Sequence, residues 1–355
     1  MTINYHASRS DRGAHPTLSS FAKRFGVSIL LAGIAFGPEA ALSQTAQMAI
    51  LPVAPPFQST DPVANTVSEW RALSQSTSFS FSSYANFLVS HPGFPGTSTM
   101  RINAEKMLRQ SGESADQVIA FFRRYPPLSA TASLRFADAL STRGYRDEAR
   151  AAAHDAWVEG ALTAEDETHV VTGFADAIRP GDNDLRMDRL LWDRMTAAAG
   201  RQLSLVSIQK RAVFEARLAM LNLAADADAK SDMVFERARN DPGFIADRNW
   251  WQRKTGQLIA SRELLAAPRS LATPPLDPGR WLDTLYVTAK AANNDGQYST
   301  AYNIARQIGD TYAPGTIVGD RPFSERDTYT DLAWLGGQAA ISKLGRPQDA
   351  IALFN

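Results

Sequence analysis

The chain of 355 residues contains no cysteine. That absence excludes disulfides, thiolate nucleophiles and cysteine metal sites together. Histidine is scarce: His6, His15, His91, His154 and His169 are all there are, and none has a partner at the His-Glu-x-x-His spacing of a zinc helix. No metal ion and no cofactor is expected. Excess charge is missing too, with 37 basic residues against 37 acidic. A nucleic-acid partner is therefore not expected, because such binding rests on a surplus of Lys and Arg that displaces counterions. The sequence has no phosphate-binding glycine loop, no Gly-x-Ser-x-Gly elbow and no dinucleotide fingerprint. No apolar run approaches the ~20 residues of a membrane span.

What is present is the composition of a soluble globular protein, 44% hydrophobic and 21% charged. Near the N-terminus, Lys23-Arg24 precede a short apolar run from Val27 to Phe36, and Ala41-Leu42-Ser43 follows with small residues at the flanking positions. That order of basic, apolar and small residues is the pattern of a signal peptide over residues 1–43 and predicts export to the periplasm. A buried N-terminal helix is the alternative. Residues 44–100 read as an irregular segment, broken by Pro52, Pro55, Pro56 and Pro62 and rich in serine around "STSFSFSSYANF". Phe79 and Phe81 alternate like a short strand or an extended linker. Val63, Val67, Trp70 and Leu73 have helical spacing, which places a short helix over Asp61–Leu73.

From Arg101 onward the pattern is helical throughout, and the fold class is all-α. Ser129–Arg143 puts Ala132, Phe136, Ala139 and Leu140 on one face. Arg186–Ala199 does the same with Leu190, Leu191, Met195 and Ala198, and Ile208–Leu223 with Ala212, Phe214, Leu218 and Leu221. Three turns share a signature in which glycine precedes alanine by five positions: Gly144 and Ala149, Gly296 and Ala301, Gly345 and Ala350. Glycine permits the tight turn between antiparallel helices, and alanine one turn later lets the pair approach closely. This is the turn grammar of a tetratricopeptide-like α-superhelix, a solenoid of helical hairpins. A single compact helical bundle is the alternative.

Carboxylates deserve scrutiny because glycosidic cleavage needs only carboxyl groups. Glu113-Ser114 reads as a helix start, with Ser114 capping the helix Asp116–Phe122 and the acids favouring its dipole. Asp226, Asp228 and Asp232 read as a solvated face, and Glu325 and Asp327 as helix-start acids. Trp157, Trp192, Trp281 and Trp334 fall on apolar stripes and are expected in the core. Of the adjacent Trp250 and Trp251, about 100° apart on a helix, only one need be buried.

Two stretches resemble the α-superhelical region of soluble lytic murein transglycosylases. One is "RMDRLLWDRMTAAAGRQLSLVSIQKRAVFEARLAML", Arg186–Leu221, with Leu190-Leu191-Trp192. The other is "RDTYTDLAWLGGQAAISKLGRPQDAIALF", Arg326–Phe354, whose Trp334-Leu335-Gly336 and Leu344-Gly345 match the family's later helix pair, although Ala333 replaces its usual acid. Phe235–Leu265 is similar to a further family segment. The resemblance covers roughly residues 101–355 and implies an exported protein acting on peptidoglycan. It implies that glycan strands, or other cell-wall proteins, are the partners. In this family a lysozyme-like domain follows the superhelix, and its single Glu cleaves between N-acetylmuramic acid and N-acetylglucosamine as acid and then base. That domain is marked by Glu-Ser, then Gly-Leu-Met-Gln, then a tyrosine-rich stretch. No Gly-Leu-Met-Gln follows Glu113-Ser114, so no residue is assigned a catalytic, cofactor-binding or metal role.

The last helix opens at Pro347 and the sequence closes at Asn355. Read as an interrupted hairpin, that ending predicts a superhelical domain over 101–355 truncated at its C-terminal end. The expected function is then a scaffold that positions glycan without cleaving it. A periplasmic helical-repeat adaptor for other proteins is the alternative.

Overall fold

The computed structural model describes residues 61–108 and 112–354. The expected signal segment 1–43, and the irregular segment as far as residue 60, lie outside the described residues. Among the described residues there are seventeen α-helices and no strand, and no helix is long and apolar enough to cross a membrane.

The short helix expected over Asp61–Leu73 is present, and the rest of the described segment expected to be irregular is largely helical too. The helices are α1 (Pro62–Gln75), α2 (Phe81–Ser90) and α3 (Thr97–Met107). The polar residues that read as linker are caps. Asp61 Oδ1 accepts the Val63 N–H at 2.8 Å with Pro62 opening the helix, and Ser80 Oγ accepts the Ser83 N–H at 3.1 Å. Behind the Ser80 cap, Phe81, Tyr84, Phe87 and Leu88 are all buried, so the Phe79/Phe81 alternation marks a helix start and not a strand.

Next come α4 (Ala115–Arg124), α5 (Ala130–Thr142), α6 (Arg146–Val158) and α7 (Ala164–Gly173). The middle of the chain forms α8 (Asp182–Trp192), α9 (Thr196–Gln202), α10 (Ile208–Leu221) and α11 (Ala227–Ala238). The remainder forms α12 (Pro242–Lys254), α13 (Leu258–Ala266), α14 (Pro278–Asn294), α15 (Tyr298–Ala305), α16 (Phe323–Ser342) and α17 (Pro347–Phe354). From α5 on, helices joined by a tight turn pack on each other, and each also packs on a helix of the next pair: α6 on α8, α8 on α10, α10 on α12, α12 on α14 and α14 on α16.

Six of these pairs turn in the same way. A residue with left-handed backbone ends the first helix, at φ 79° for Gly144, 56° for Arg194, 52° for Leu223, 83° for Gly256, 76° for Gly296 and 65° for Gly345. The next residue then donates its N–H back across the turn, as Tyr145 does to the Leu140 carbonyl at 3.0 Å and Met195 to Leu190 at 2.8 Å. This is the Schellman closure of a helix C-terminus. Five residues after the left-handed position, Ala149, Ala199, Ser261, Ala301 and Ala350 are buried, where a small side chain lets the second helix close on the first.

Three of the six turns carry the glycine–alanine signature. Gly256 was hidden because serine stands in for alanine, and Arg194 and Leu223 because they are not glycine. Arg186–Ala199, which reads as one helix, is accordingly two: α8 ends before Arg194, and Met195 faces solvent. A non-glycine residue in this conformation costs about 1–2 kcal/mol. Leu223 is half exposed and contributes little packing in return. Leu223→Gly is therefore expected to raise stability by about 1 kcal/mol, readable as a higher urea midpoint.

Trp334 departs from its expected place in the core: it is 60% exposed. The small residues of α16 explain this. Ala333, Gly336, Gly337 and Ala340 are buried in the packing with neighbouring helices, which turns the face bearing Trp334 and Ile341 outward. A Cβ on Gly336 would lie 2.6 Å from the Ala305 Cβ and 2.9 Å from Leu353 Cδ1, whereas the three atoms nearest to one on Gly337 would all belong to the ring of Phe354. Ala305 belongs to the buried backbone of α15 and has no room to yield; Phe354 is half exposed and can swing away. Gly336→Ala is expected to cost about 1–3 kcal/mol by overpacking, and Gly337→Ala to be close to neutral. Parallel thermal melts of the two variants test this contrast.

Candidate functional site

The residues singled out in the sequence are spread along the fold and do not converge. Ser114 caps α4, its Oγ accepting the Gln117 N–H at 3.3 Å. Glu113 accepts the Ser82 hydroxyl at 2.6 Å and so ties the start of α4 to α2. Asp226 pairs with Lys230 at 2.8 Å and Asp232 with Arg248 at 2.7 Å, while Asp228 is exposed. Glu325 lies in the first turn of α16 and accepts the Tyr312 hydroxyl and the Arg321 Nε–H, each at 2.9 Å. Burial and then the bond to Glu325 push the Tyr312 hydroxyl up to about 12. Asp327 is exposed.

The described histidines stand apart from one another. His91 packs against Phe87 and Phe94. His154 lies 3.3 Å from Asp182, and His169 Nε2 lies 2.6 Å from Asp138 Oδ1. Among the described residues no group of three metal-ligating side chains converges. Of the tryptophans, Trp157, Trp192 and Trp281 are buried, and of the adjacent pair Trp251 is buried while Trp250 is partly exposed.

Two further carboxyl groups have perturbed protonation. Burial raises Glu105 and Glu159 above the usual carboxylate range. Glu105 accepts the Leu128 N–H at 2.7 Å and the Ser129 hydroxyl at 2.8 Å, and Glu159 accepts the Ser133 hydroxyl at 3.3 Å. Both fasten neighbouring elements to the N-terminal turn of α5.

Sequence reasoning missed a set of buried arginines laid over tryptophans. Arg186 on α8 lies 4.3 Å above the Trp157 ring of α6, Arg217 on α10 lies 6.0 Å from the Trp192 ring of α8, and Arg269 lies 5.1 Å from the Trp281 ring of α14. Each joins parts of the chain that are distant in sequence, through a cation–π contact strengthened by the absence of water. Arg186 is fully buried. It donates to the carbonyls of Trp157 and Gly160 at 2.7 and 2.8 Å, to Glu167 at 2.8 Å and to Gln202 at 3.2 Å. Glu167 is shared with Arg201. Desolvation lowers Arg186, opposed by the charge of Glu167.

Arg217 is also fully buried. Its Nε donates to Asp247 at 2.7 Å and its Nη1 to Asp188 at 2.5 Å. Burial acts to lower it, but Asp247, Asp188 and Asp241 together hold it above the usual arginine range. Asp247 is pushed up to about 6 by burial, with Arg217 pulling the other way. The guanidinium occupies the space that a Cβ on Gly243 would take. The signal available in the sequence was an arginine inside an otherwise apolar helix face, Arg186 beside Met187 and Leu190, Arg217 beside Phe214 and Leu221. Arginine is seldom fully buried without a partner, and the partners lie about 30 residues away, as the separations of 29 and 30 for Asp188 and Asp247 show.

An open cavity of about 420 Å³ lies between α11, α12 and α13. Phe235, Ile245 and Leu264 form apolar wall, while Arg248, Gln252 and Arg269 bring polar groups to it. Arg248 is committed to Ser231 at 2.8 Å and Asp232 at 2.7 Å, and Arg269 is paired with Asp310 at 3.1 Å. The cavity has the size of a small-ligand site. A second, more open cavity of about 640 Å³ holds His169 with Asp138, Arg135 and Asp166. In the second cavity the Thr168 and Thr172 hydroxyls donate to the Ala164 and Thr168 carbonyls of their own helix, and His169 is held by Asp138.

No family model, no curated protein and no solved structure matches this chain.

Proposed function

We propose that the hairpins of this chain stack as a tetratricopeptide-like α-superhelix of the lytic-transglycosylase type, a periplasmic scaffold that positions peptidoglycan glycan strands and does not cleave them itself. The observation that carries this reading is the recurrence of one left-handed turn at Gly144, Arg194, Leu223, Gly256, Gly296 and Gly345. Repeats joined in this way bury each hairpin against the next and present an extended face to a long ligand. The segments Arg186–Leu221 and Arg326–Phe354, which resemble the family, each contain one of these turns. The roles of the acidic residues support positioning over cleavage. Glu105, Glu113, Glu159 and Glu325 are all engaged by hydroxyl or backbone donors that fasten helix starts.

Incubation of the chain with purified sacculi tests the reading. The chain is expected to sediment with the sacculi and to leave no 1,6-anhydro-muropeptides in the supernatant by mass spectrometry. Release of those products would overturn the non-catalytic role. A chain that stays in the supernatant would overturn glycan positioning and favour a second reading, a periplasmic adaptor for other proteins. The adaptor reading draws on Ile317, Phe323 and Trp334, large apolar side chains left exposed on α16 and the segment before it.

A further inference from the structure

The turn after α8 differs from its glycine counterparts in carrying a long cationic side chain on a strained backbone. Leu223 shows that strain alone is no mark of function; what sets this turn apart is the Arg194 side chain. Its guanidinium lies 4.5 Å over the Trp250 ring and makes no ion pair or hydrogen bond among the described residues. Lys254 lies 6.0 Å from the same ring. Arg253, on the same helix end, donates its Nε–H to Asn249 at 3.1 Å and has no carboxylate partner among the described residues.

The helix α12 packs on both α8 and α14, and Trp192, two residues before Arg194, shares a core cluster with Trp281 at the start of α14. Arg280 is there too, 3.7 Å from Asp277. The fields of Arg280 and Arg253 both add to desolvation in lowering Arg194. The acidic neighbours only partly offset this charge. Asp247 is bound to Arg217, Asp277 is spent capping α14 through the Arg280 N–H at 2.9 Å, and Asp193 is half buried and raised by burial.

We propose that Arg194, Trp250, Arg253 and Arg280 form a binding site for an oxyanion, a carboxylate or phosphate group carried by the ligand. The Arg194 guanidinium lies over Trp250 with its N–H donors unengaged by any described residue, and a guanidinium can receive an oxyanion bidentately. Arg194 and Arg253, which have no carboxylate partner among the described residues, gain most from such a ligand, because it relieves their mutual repulsion. The site stands independently of the proposed scaffold role, since it follows from the charges and not from the resemblance.

Calorimetric titration of the full chain with inorganic phosphate and with succinate, at constant ionic strength, tests it. Saturable binding is expected, and whichever anion binds more tightly assigns the group as phosphate or carboxylate. Arg194→Gly is the decisive variant, because it relieves the backbone and is expected to melt no lower than the parent. It is expected to weaken binding at least about tenfold, and Arg253→Gln by a smaller factor. The proposal is overturned if neither anion binds at about 20 mM, or if Arg194→Gly binds as the parent does, which would mark the heat as a general ion atmosphere.

Discussion

Replacing Arg217 by Met is expected to cost about 3–5 kcal/mol at neutral pH, the largest loss expected from a single substitution in this chain. The side chain is fully buried between Asp247 and Asp188. Asp188 is partly exposed and can turn to water once its partner is gone, but Asp247 is buried and would be left as an uncompensated charge. The loss therefore depends on pH with a definite sign. Asp247 already titrates at about 6, against 3.8 for an unperturbed group. A carboxyl group raised in the folded state keeps its stabilising contribution at low pH and loses it as pH rises through the folded value. Without Arg217, whose field lowers Asp247, that value moves further up. The variant should accordingly lie closest to the parent near pH 5 and fall progressively behind towards pH 8. Urea unfolding at the two pH values measures this, and a penalty that is flat or larger at pH 5 contradicts it. The double variant Arg217→Met, Asp247→Leu should recover most of the loss, because replacing a buried ion pair by apolar groups of similar volume is often neutral or better.

Gly243→Ala is expected to destabilise by about 3 kcal/mol, although alanine is ordinarily favoured over glycine within a helix by about 1 kcal/mol. The added methyl would land on the guanidinium of Arg217. A flexible side chain elsewhere would step aside. This one is held by Asp247 at 2.7 Å and Asp188 at 2.5 Å and has no exposed surface to move towards. The reversal of the usual glycine-to-alanine sign is what thermal melts should detect. The same change made in the Arg217→Met, Asp247→Leu background should be neutral or stabilising, since the constraint is then gone. Equal effects in both backgrounds would show that the guanidinium is not what reserves the space at Gly243.

The two expectations concern features that the sequence does not display, and the contrast with what it does display has physical causes. Helix starts and stops are local: Ser114 and Ser129 accept N–H groups three residues on, and Gly144, Gly296 and Gly345 take a backbone conformation open to few other residues. The all-α class, the caps and those three turns could therefore be read from neighbouring residues alone. Beyond the expected helix Asp61–Leu73, residues 74–90 were misread because serine serves both linkers and helix starts, and only burial of Phe81, Tyr84 and Phe87 distinguishes them. Trp334 was misplaced because an apolar stripe does not say which of its sides will be covered.

By itself, then, the sequence determined the helical periodicity, the capping residues and the glycine turns, all of which are set within a few bonds of each residue. Tertiary structure alone decided that Arg194 and Leu223 would complete the same turn under strain, because packing of the second helix supplies the energy that their own backbone preference opposes. It alone decided that Arg186 and Arg217 would be buried, because a charge enters the interior only where partners from other helices already stand. Arg194 is a further case: its guanidinium lies over Trp250 because α12 packs on α8, a meeting that no local pattern records.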